Sequence, residues 1–131
     1  MALSAEVLGD RWLLLILREA FYGVQRYDDM LQDLGIPRAT LTDRLNKLLD
    51  LKILERHAYQ EKGERVRHAY QLSAEGRALG KVLIAMSEWG ETYLTKSPAP
   101  AYLVEKTTNT PLRIAFVTEE GKEVSESQAK L

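Results

Sequence analysis

Arg38, Thr40, Thr42, Asp43, Arg44, Asn46 and Lys47 follow one another within a short span, and Lys62, Arg65 and Arg67 come soon after. Guanidinium groups grip phosphates or guanine edges in bidentate fashion, and ammonium groups act on phosphates as point charges. Hydroxyl and amide side chains bond base edges or backbone oxygens. Together these types are suited to a polyanion that also presents hydrogen-bonding edges. Asp43 runs against the set, because a carboxylate repels phosphate unless it accepts from a cytosine or holds an arginine.

The elements that must position these groups follow from the apolar spacing. Leu41, Leu45, Leu48 and Leu49 fall at i, i+4, i+7 and i+8, one stripe of a helix from Pro37 to Asp50. Pro37 suits its first turn, and Gly35 suits the left-handed position that ends the helix before it. Arg38, Ala39 and Thr40 occupy the first turn, and Thr42, Asp43, Asn46 and Lys47 lie off the leucine stripe. Two strands are predicted next, over Leu54–Tyr59 and Arg65–Leu72, around a charged turn at Glu61-Lys62-Gly63-Glu64. Val66, His68, Tyr70 and Leu72 alternate with Arg65, Arg67, Ala69 and Gln71, so one face is more apolar and the other carries arginines near the tip. A short amphipathic helix followed by a basic β-ribbon is the plan of a winged helix-turn-helix, whose second helix enters a major groove.

The rest of the chain reads as scaffold. Ser4 to Leu8 form a first short helix, and Asp10 caps a second over the apolar run Trp12 to Leu17, a run continuous enough to imply deep burial. Asp28 or Asp29 caps a short helix ending near Leu34. Ser73 caps a long helix to about Leu94 through Leu79, Val82, Leu83, Met86, Trp89 and Tyr93, of which Leu79, Val82, Leu83 and Met86 look like a helix–helix seam, and Pro98 and Pro100 stop it. Tyr102 to Glu105 and Leu112 to Val117 look like strands, Glu120-Gly121-Lys122 like a turn, and Ser125 to Leu131 like a frayed end. The expected class is mainly α with a small β part (α+β), with residues 1–95 as the winged domain and its long helix. Residues 96–131 are a C-terminal extension with an appended β-hairpin.

Composition bounds what else is possible. With 131 residues the chain supports a single core, and 45% hydrophobic content suits a globular fold. There is no cysteine, which excludes disulfides, thiol catalysis and cysteine-ligated zinc. No apolar stretch is long enough to span a membrane, and the N-terminus lacks a signal-peptide pattern, so a cytoplasmic location is expected. The net charge of −1 argues weakly against nucleic acid, but its distribution does not. Residues 1–36 hold three Arg and six carboxylates, residues 37–72 eight cations and five carboxylates, and residues 73–131 seven and eight. The positive third coincides with the helix and hairpin, and local charge governs attraction to phosphate. Carboxylates are scattered without pairing and the glycines form no phosphate loop, so no enzyme and no cofactor is expected. His57 and His68 are read as a cross-strand pair at the hairpin base rather than a metal site or pH switch. Trp12 is read as a core anchor, and Trp89 as a core or interface anchor.

Gly9-Asp10-Arg11-Trp12, Ile16-Leu17-Arg18, Arg26-Tyr27, Leu41, Leu45 and Leu48 of the helix that begins at Pro37, Tyr70-Gln71-Leu72-Ser73 with Gly76, and Trp89-Gly90 form an ordered set over about Leu3 to Gly90. This set resembles the HxlR-type helix-turn-helix regulators, relatives of the MarR-type. The resemblance implies a bacterial transcriptional regulator, by default a repressor, binding a palindromic double-stranded DNA operator as a homodimer. It implies that Arg38 to Asn46 read DNA and Lys62 to Arg67 form the wing. The first helix, with Leu3 and Val7, and the long helix would build the dimer interface. Two departures matter: many members sense oxidants through an N-terminal cysteine, and some carry metal-ligand cysteines in a C-terminal extension, and this chain has neither. Two alternatives remain open. One is a winged module for protein interaction without DNA binding. The other is a regulator whose small-molecule effector binds between the long helix and the C-terminal strands.

Overall fold

The structure is a computed structural model and describes residues 1–95 and 103–130. It contains two compact units, Met1–Gly80 and Lys81–Leu131. In the first, helix α1 (Ala2–Leu8) leads to α2 (Arg11–Phe21), whose start is fixed by Asp10. The Asp10 carboxylate accepts from the Trp12 and Leu13 N–H groups at 2.9 and 3.1 Å, satisfying amides that a helix start leaves unbonded. The apolar run is not buried all round. Leu13, Ile16 and Leu17 are fully buried, while Trp12, Leu14 and Leu15 are half-buried. Glu19 is buried as well, and its carboxylate accepts from the neighbouring Arg18 guanidinium at 2.6 Å.

Helix α3 (Tyr27–Leu34) begins after Arg26 with no side-chain cap; Asp28 and Asp29 lie inside its first turn instead, where they complement the helix dipole. Gly35 ends it at φ +58°, the left-handed geometry that favours glycine. Helix α4 (Arg38–Asp50) follows after only Ile36 and Pro37, with Pro37 at the cap position rather than within the first turn. Met30, Ile36, Leu41, Leu45, Leu48 and Leu54 join the α2 residues in one core. Each fully buried side chain of this kind contributes about 1.5–3 kcal/mol.

Strands β1 (Leu54–Tyr59) and β2 (Arg67–Leu72) pair antiparallel from Leu54–Leu72 to Tyr59–Arg67. The second strand therefore starts two residues later than its alternation suggests. Gly63, at φ +83°, lies at the centre of the connection. That register sets His57 opposite Ala69 and His68 opposite Ala58, so the two imidazoles stand on opposite faces and the expected pair does not form. The segment before α3 adds a rung: Arg26 bridges Ala69, and the Tyr70 N–H donates to the Gln25 carbonyl at 2.8 Å.

Ser73 is buried and joins three elements. Its hydroxyl donates to the Lys52 carbonyl at 2.6 Å, and the same oxygen accepts from the Gly76 N–H at 2.9 Å to cap α5 (Ala74–Ala78). The continuous helix expected from Ser73 is broken at Leu79, where the N–H turns to the Gly76 carbonyl before α6 (Gly80–Tyr93) begins. Gly80 is buried with a Cβ position 3.0 Å from the Phe21 ring, a spacing that only glycine fills without displacement.

In the second unit, β3 (Phe116–Val117) and β4 (Glu123–Val124) form a short hairpin through Gly121 at φ +85°. The expected longer strands shrink to this pair plus a bridge between Val104 and Pro111; Pro98, Pro100 and Tyr102 lie outside the described residues. Glu105 organises the turn between the bridged residues. Its carboxylate accepts from the Thr108 hydroxyl and from the Thr108 and Thr107 N–H groups, which holds its pKa down to about 2. The segment expected to fray instead carries a 3-10 turn, Glu126–Gln128, with a capping box from Ser125 to Gln128.

Candidate nucleic-acid interface

The leucine face of α4 fixes where its other face points. Leu41, Leu45 and Leu48 are buried, so Arg38, Ala39, Thr42, Asp43, Asn46 and Lys47 are exposed, and Thr40 is half-buried. Tyr27, at the start of α3, holds the N-terminal half of this helix. Its hydroxyl donates to the Arg38 carbonyl at 2.9 Å and lies 3.1 Å from the Thr42 hydroxyl, which accordingly donates to it.

Arg44 is set apart from the other candidates. It is half-buried, donates to the Asp10 carboxylate at 2.7 Å and is also paired with Asp43. Hydrogen bonds from Arg44 to those carboxylates raise its pKa further. Burial pushes the Asp10 carboxyl up, but the Leu13 N–H, the Arg44 guanidinium and the Trp12 N–H outweigh it and hold the group below its ordinary value. Asp43 thus has the arginine partner that a carboxylate on such a face requires.

On the hairpin, Lys62 and Arg65 are exposed and make no ion pair among the described residues. Arg67 pairs with Glu64 at 3.1 Å and with Asp28 at 3.7 Å. Arg26 stacks over Tyr59 at 4.9 Å from the ring centroid and donates to Glu61 at 2.6 Å. The structure thus brings Arg38 and Arg67 to a common neighbour, Asp28, which also lies 4.0 Å from Arg38. Tyr27, Asp28 and Tyr59 were not among the residues expected to matter; Tyr27 gave a signal only as part of the Arg26-Tyr27 pair that opens α3.

The residues expected at a dimer interface belong to both units. In the first, Leu3 is 78% exposed, and Val7 and Leu79 are half-buried. In the second, Val82, Met86, Trp89 and Tyr93 are exposed along one stripe of α6, with Leu83 half-buried and Trp89 and Tyr93 in ring contact at 5.9 Å.

A leucine-backed helix after a tight turn, beside a two-stranded cationic ribbon, defines a winged helix-turn-helix protein. The chain belongs to the HxlR-like helix-turn-helix family, whose model matches residues 7–98. It is 43% identical over 97 residues to an uncharacterized HTH-type transcriptional regulator of Mycobacterium tuberculosis, a match covering 74% of this chain and 60% of the relative. A Synechocystis regulator of the same description is 37% identical over 100 residues, covering 76% and 73%. The chain thus spans about 60% of the length of the mycobacterial relatives. Among solved structures, a candidate transcription factor of Pseudomonas aeruginosa, PA1374, matches 98% of this chain and 87% of its own with TM-score 0.68 and 32% identity. PA1607, another candidate transcription factor, matches 97% and 89% with TM-score 0.76 and 28% identity. These relatives and structures are all described as transcriptional regulators or transcription factors.

Proposed function

We propose that the protein is a cytoplasmic transcriptional regulator, by default a repressor, that binds a palindromic operator as a homodimer. The observation that carries this reading is the exposed polar face of α4, with Arg38, Thr42, Asn46 and Lys47, beside the unpaired cations Lys62 and Arg65 of the wing. In this reading α4 enters the major groove with Arg38, Ala39 and Thr40 foremost, and Thr42, Asp43 and Asn46 behind them. Lys47, Lys62, Arg65 and Arg67 attract the phosphates. Arg44 acts indirectly, by tethering the helix to Asp10.

The exposed α6 stripe supports the homodimer, since four large apolar side chains at i, i+4, i+7 and i+11 match a helix–helix seam. Leu3 and Val7 on α1 and Leu79 and Leu83 complete the proposed interface. Two copies would place their α4 helices in successive major grooves, about 34 Å apart. Selection of bound duplexes from a random library tests the reading. A two-fold symmetric consensus with half-sites about 10 base pairs apart is the expected outcome, and a library that shows no enrichment overturns it.

A cleft of about 700 Å³ in the first unit, lined by Tyr22, Gln25, Arg26, Asp29, His57 and Tyr59 among others, favours a small-molecule effector as an addition. Its volume is in the range of ligand sites. A compound screen read by thermal stabilisation tests that addition.

A further inference from the structure

A second, smaller cleft of about 290 Å³ opens where the start of α4 meets the wing. Arg38, Arg65 and Arg67 line it together with the rings of Tyr59 and Tyr70, and Asp28 is the one carboxylate on its wall. Glu64 does not line the cleft but is paired with Arg67 at 3.1 Å, so three guanidinium groups stand against two carboxylates and an excess of positive charge remains. The Asp28 oxygens lie 4.0 Å from the Arg38 guanidinium and 3.7 Å from that of Arg67. The Nε of Arg67 is buried and has no hydrogen-bond acceptor among the described residues. A buried donor without a partner is uncommon and marks a place where an acceptor is missing. Asp28 itself is 64% exposed, so its ion pairs add little to folding stability.

We propose that this cleft is a DNA-backbone phosphate site that the Asp28 carboxylate partly occupies in the free protein, and that Asp28 limits sequence-independent binding. This inference rests on the DNA-binding reading above. A phosphate entering the cleft meets Arg65 and the Arg67 guanidinium with its open Nε–H, while Arg38, released from Asp28, turns to the base edges. To bind there it must displace a carboxylate of like charge. That cost falls on every duplex alike, since phosphates carry no sequence. It is offset only where base contacts along α4 add their own free energy. Every duplex therefore loses affinity by the same factor, and random duplex, which has no base contacts to add, is the first to fall below the concentration at which it binds.

The test uses the full chain and a fluorescein-labelled duplex of random sequence, with anisotropy followed between about 50 and 200 mM salt. Asp28→Asn should bind this duplex about three- to tenfold more tightly than wild type, the effect of removing one like charge close to a phosphate in a solvated site. Its dependence on log salt should steepen by about one unit. Asp33→Asn makes the same charge change elsewhere on α3 and should move the affinity much less. Asp28→Asn combined with Arg67→Gln should lose the gain. Asp28→Ser carries the same expectation through a smaller side chain, so a folding defect in one substitution leaves the other decisive. The proposal is overturned if Asp28→Asn binds as wild type does, if Asp33→Asn matches it, or if the gain survives in the double variant. If neither wild type nor Asp28→Asn binds duplex even at low salt, the DNA-binding reading fails, and this inference with it.

Discussion

Helix α4 and the β1–β2 hairpin stand side by side in the candidate interface, but they are held in place by different means. Behind α4, Leu41, Leu45 and Leu48 are no more than 1% exposed, and Tyr27 and Asp10 grip the helix from two further elements. The hairpin tip from Gln60 to Val66 is exposed throughout and is held by the Gln60 amide on the Glu64 carbonyl at 2.8 Å and by the exposed Arg26–Glu61 ion pair at 2.6 Å, with no buried side chain behind it. The charges differ as well. Lys62 and Arg65, which make no ion pair among the described residues, are at the tip, whereas α4 presents hydroxyl and amide groups and paired charges, with Lys47 as its one cation outside an ion pair among those residues. A fixed face suits discrimination between base edges, which needs geometry. An exposed tip whose two carboxylates are paired with Arg26 and Arg67, leaving Lys62 and Arg65 outside any ion pair among the described residues, suits phosphate attraction, which needs only proximity.

The comparison is broken most severely from behind. Leu45→Ala should cost about 2–5 kcal/mol of stability, read as a lowered urea midpoint, because it empties a fully buried site under α4. Lys62→Ala, at the tip, should leave that midpoint where it is. Arg38→Ala should next remove about 1–3 kcal/mol of preference between the operator and its single-base variants, with melting unchanged. If operator and random duplex weaken equally, Arg38 holds a phosphate and specificity moves further along α4.

A smaller effect sharpens how α4 is held. Asp10→Ala should lower stability at neutral pH by about 1 kcal/mol, through loss of the α2 cap. The Asp10 carboxyl has a folded pKa below its ordinary 3.8, so its contribution is complete above about pH 4 and is lost as pH falls through the folded value. Wild type and Asp10→Ala should thus converge in stability on acidification, in parallel chemical denaturation curves. The smallest expected change comes from Lys62→Ala and Arg65→Ala. Each should weaken all duplexes alike and reduce the salt slope by about one unit.

Helix α4, its polar face and the two wing strands were legible because they rest on local patterns, a leucine period and an alternation bounded by Gly63. The hairpin register was not, because a one-residue shift in register, from a turn centred between Lys62 and Gly63 to one centred on Gly63, moves His57 and His68 to opposite faces. The break at Leu79 was hidden for another reason. Gly76 and Gly80 stand in a helical sequence, but a Cβ on Gly76 would overlap the Ile53 carbonyl oxygen, a contact set by a distant strand entry. Arg44 read as one more cation on a DNA-facing helix, since nothing in its neighbourhood announces Asp10, 34 positions earlier. Asp28 was read only as a candidate helix cap. Its proximity to Arg38 and Arg67 arises when the short turn after Gly35 folds α4 back beside α3 and the wing.

The Asp10–Arg44 link gives the first unit a mechanical property. One carboxylate closes the first turn of α2 with one oxygen and takes the Arg44 guanidinium, midway along α4, with the other. The tilt of α4 is therefore coupled to the corner at Gly9–Asp10 where α1 hands over to α2. A displacement of that corner moves α4 with it or gives up the ion pair.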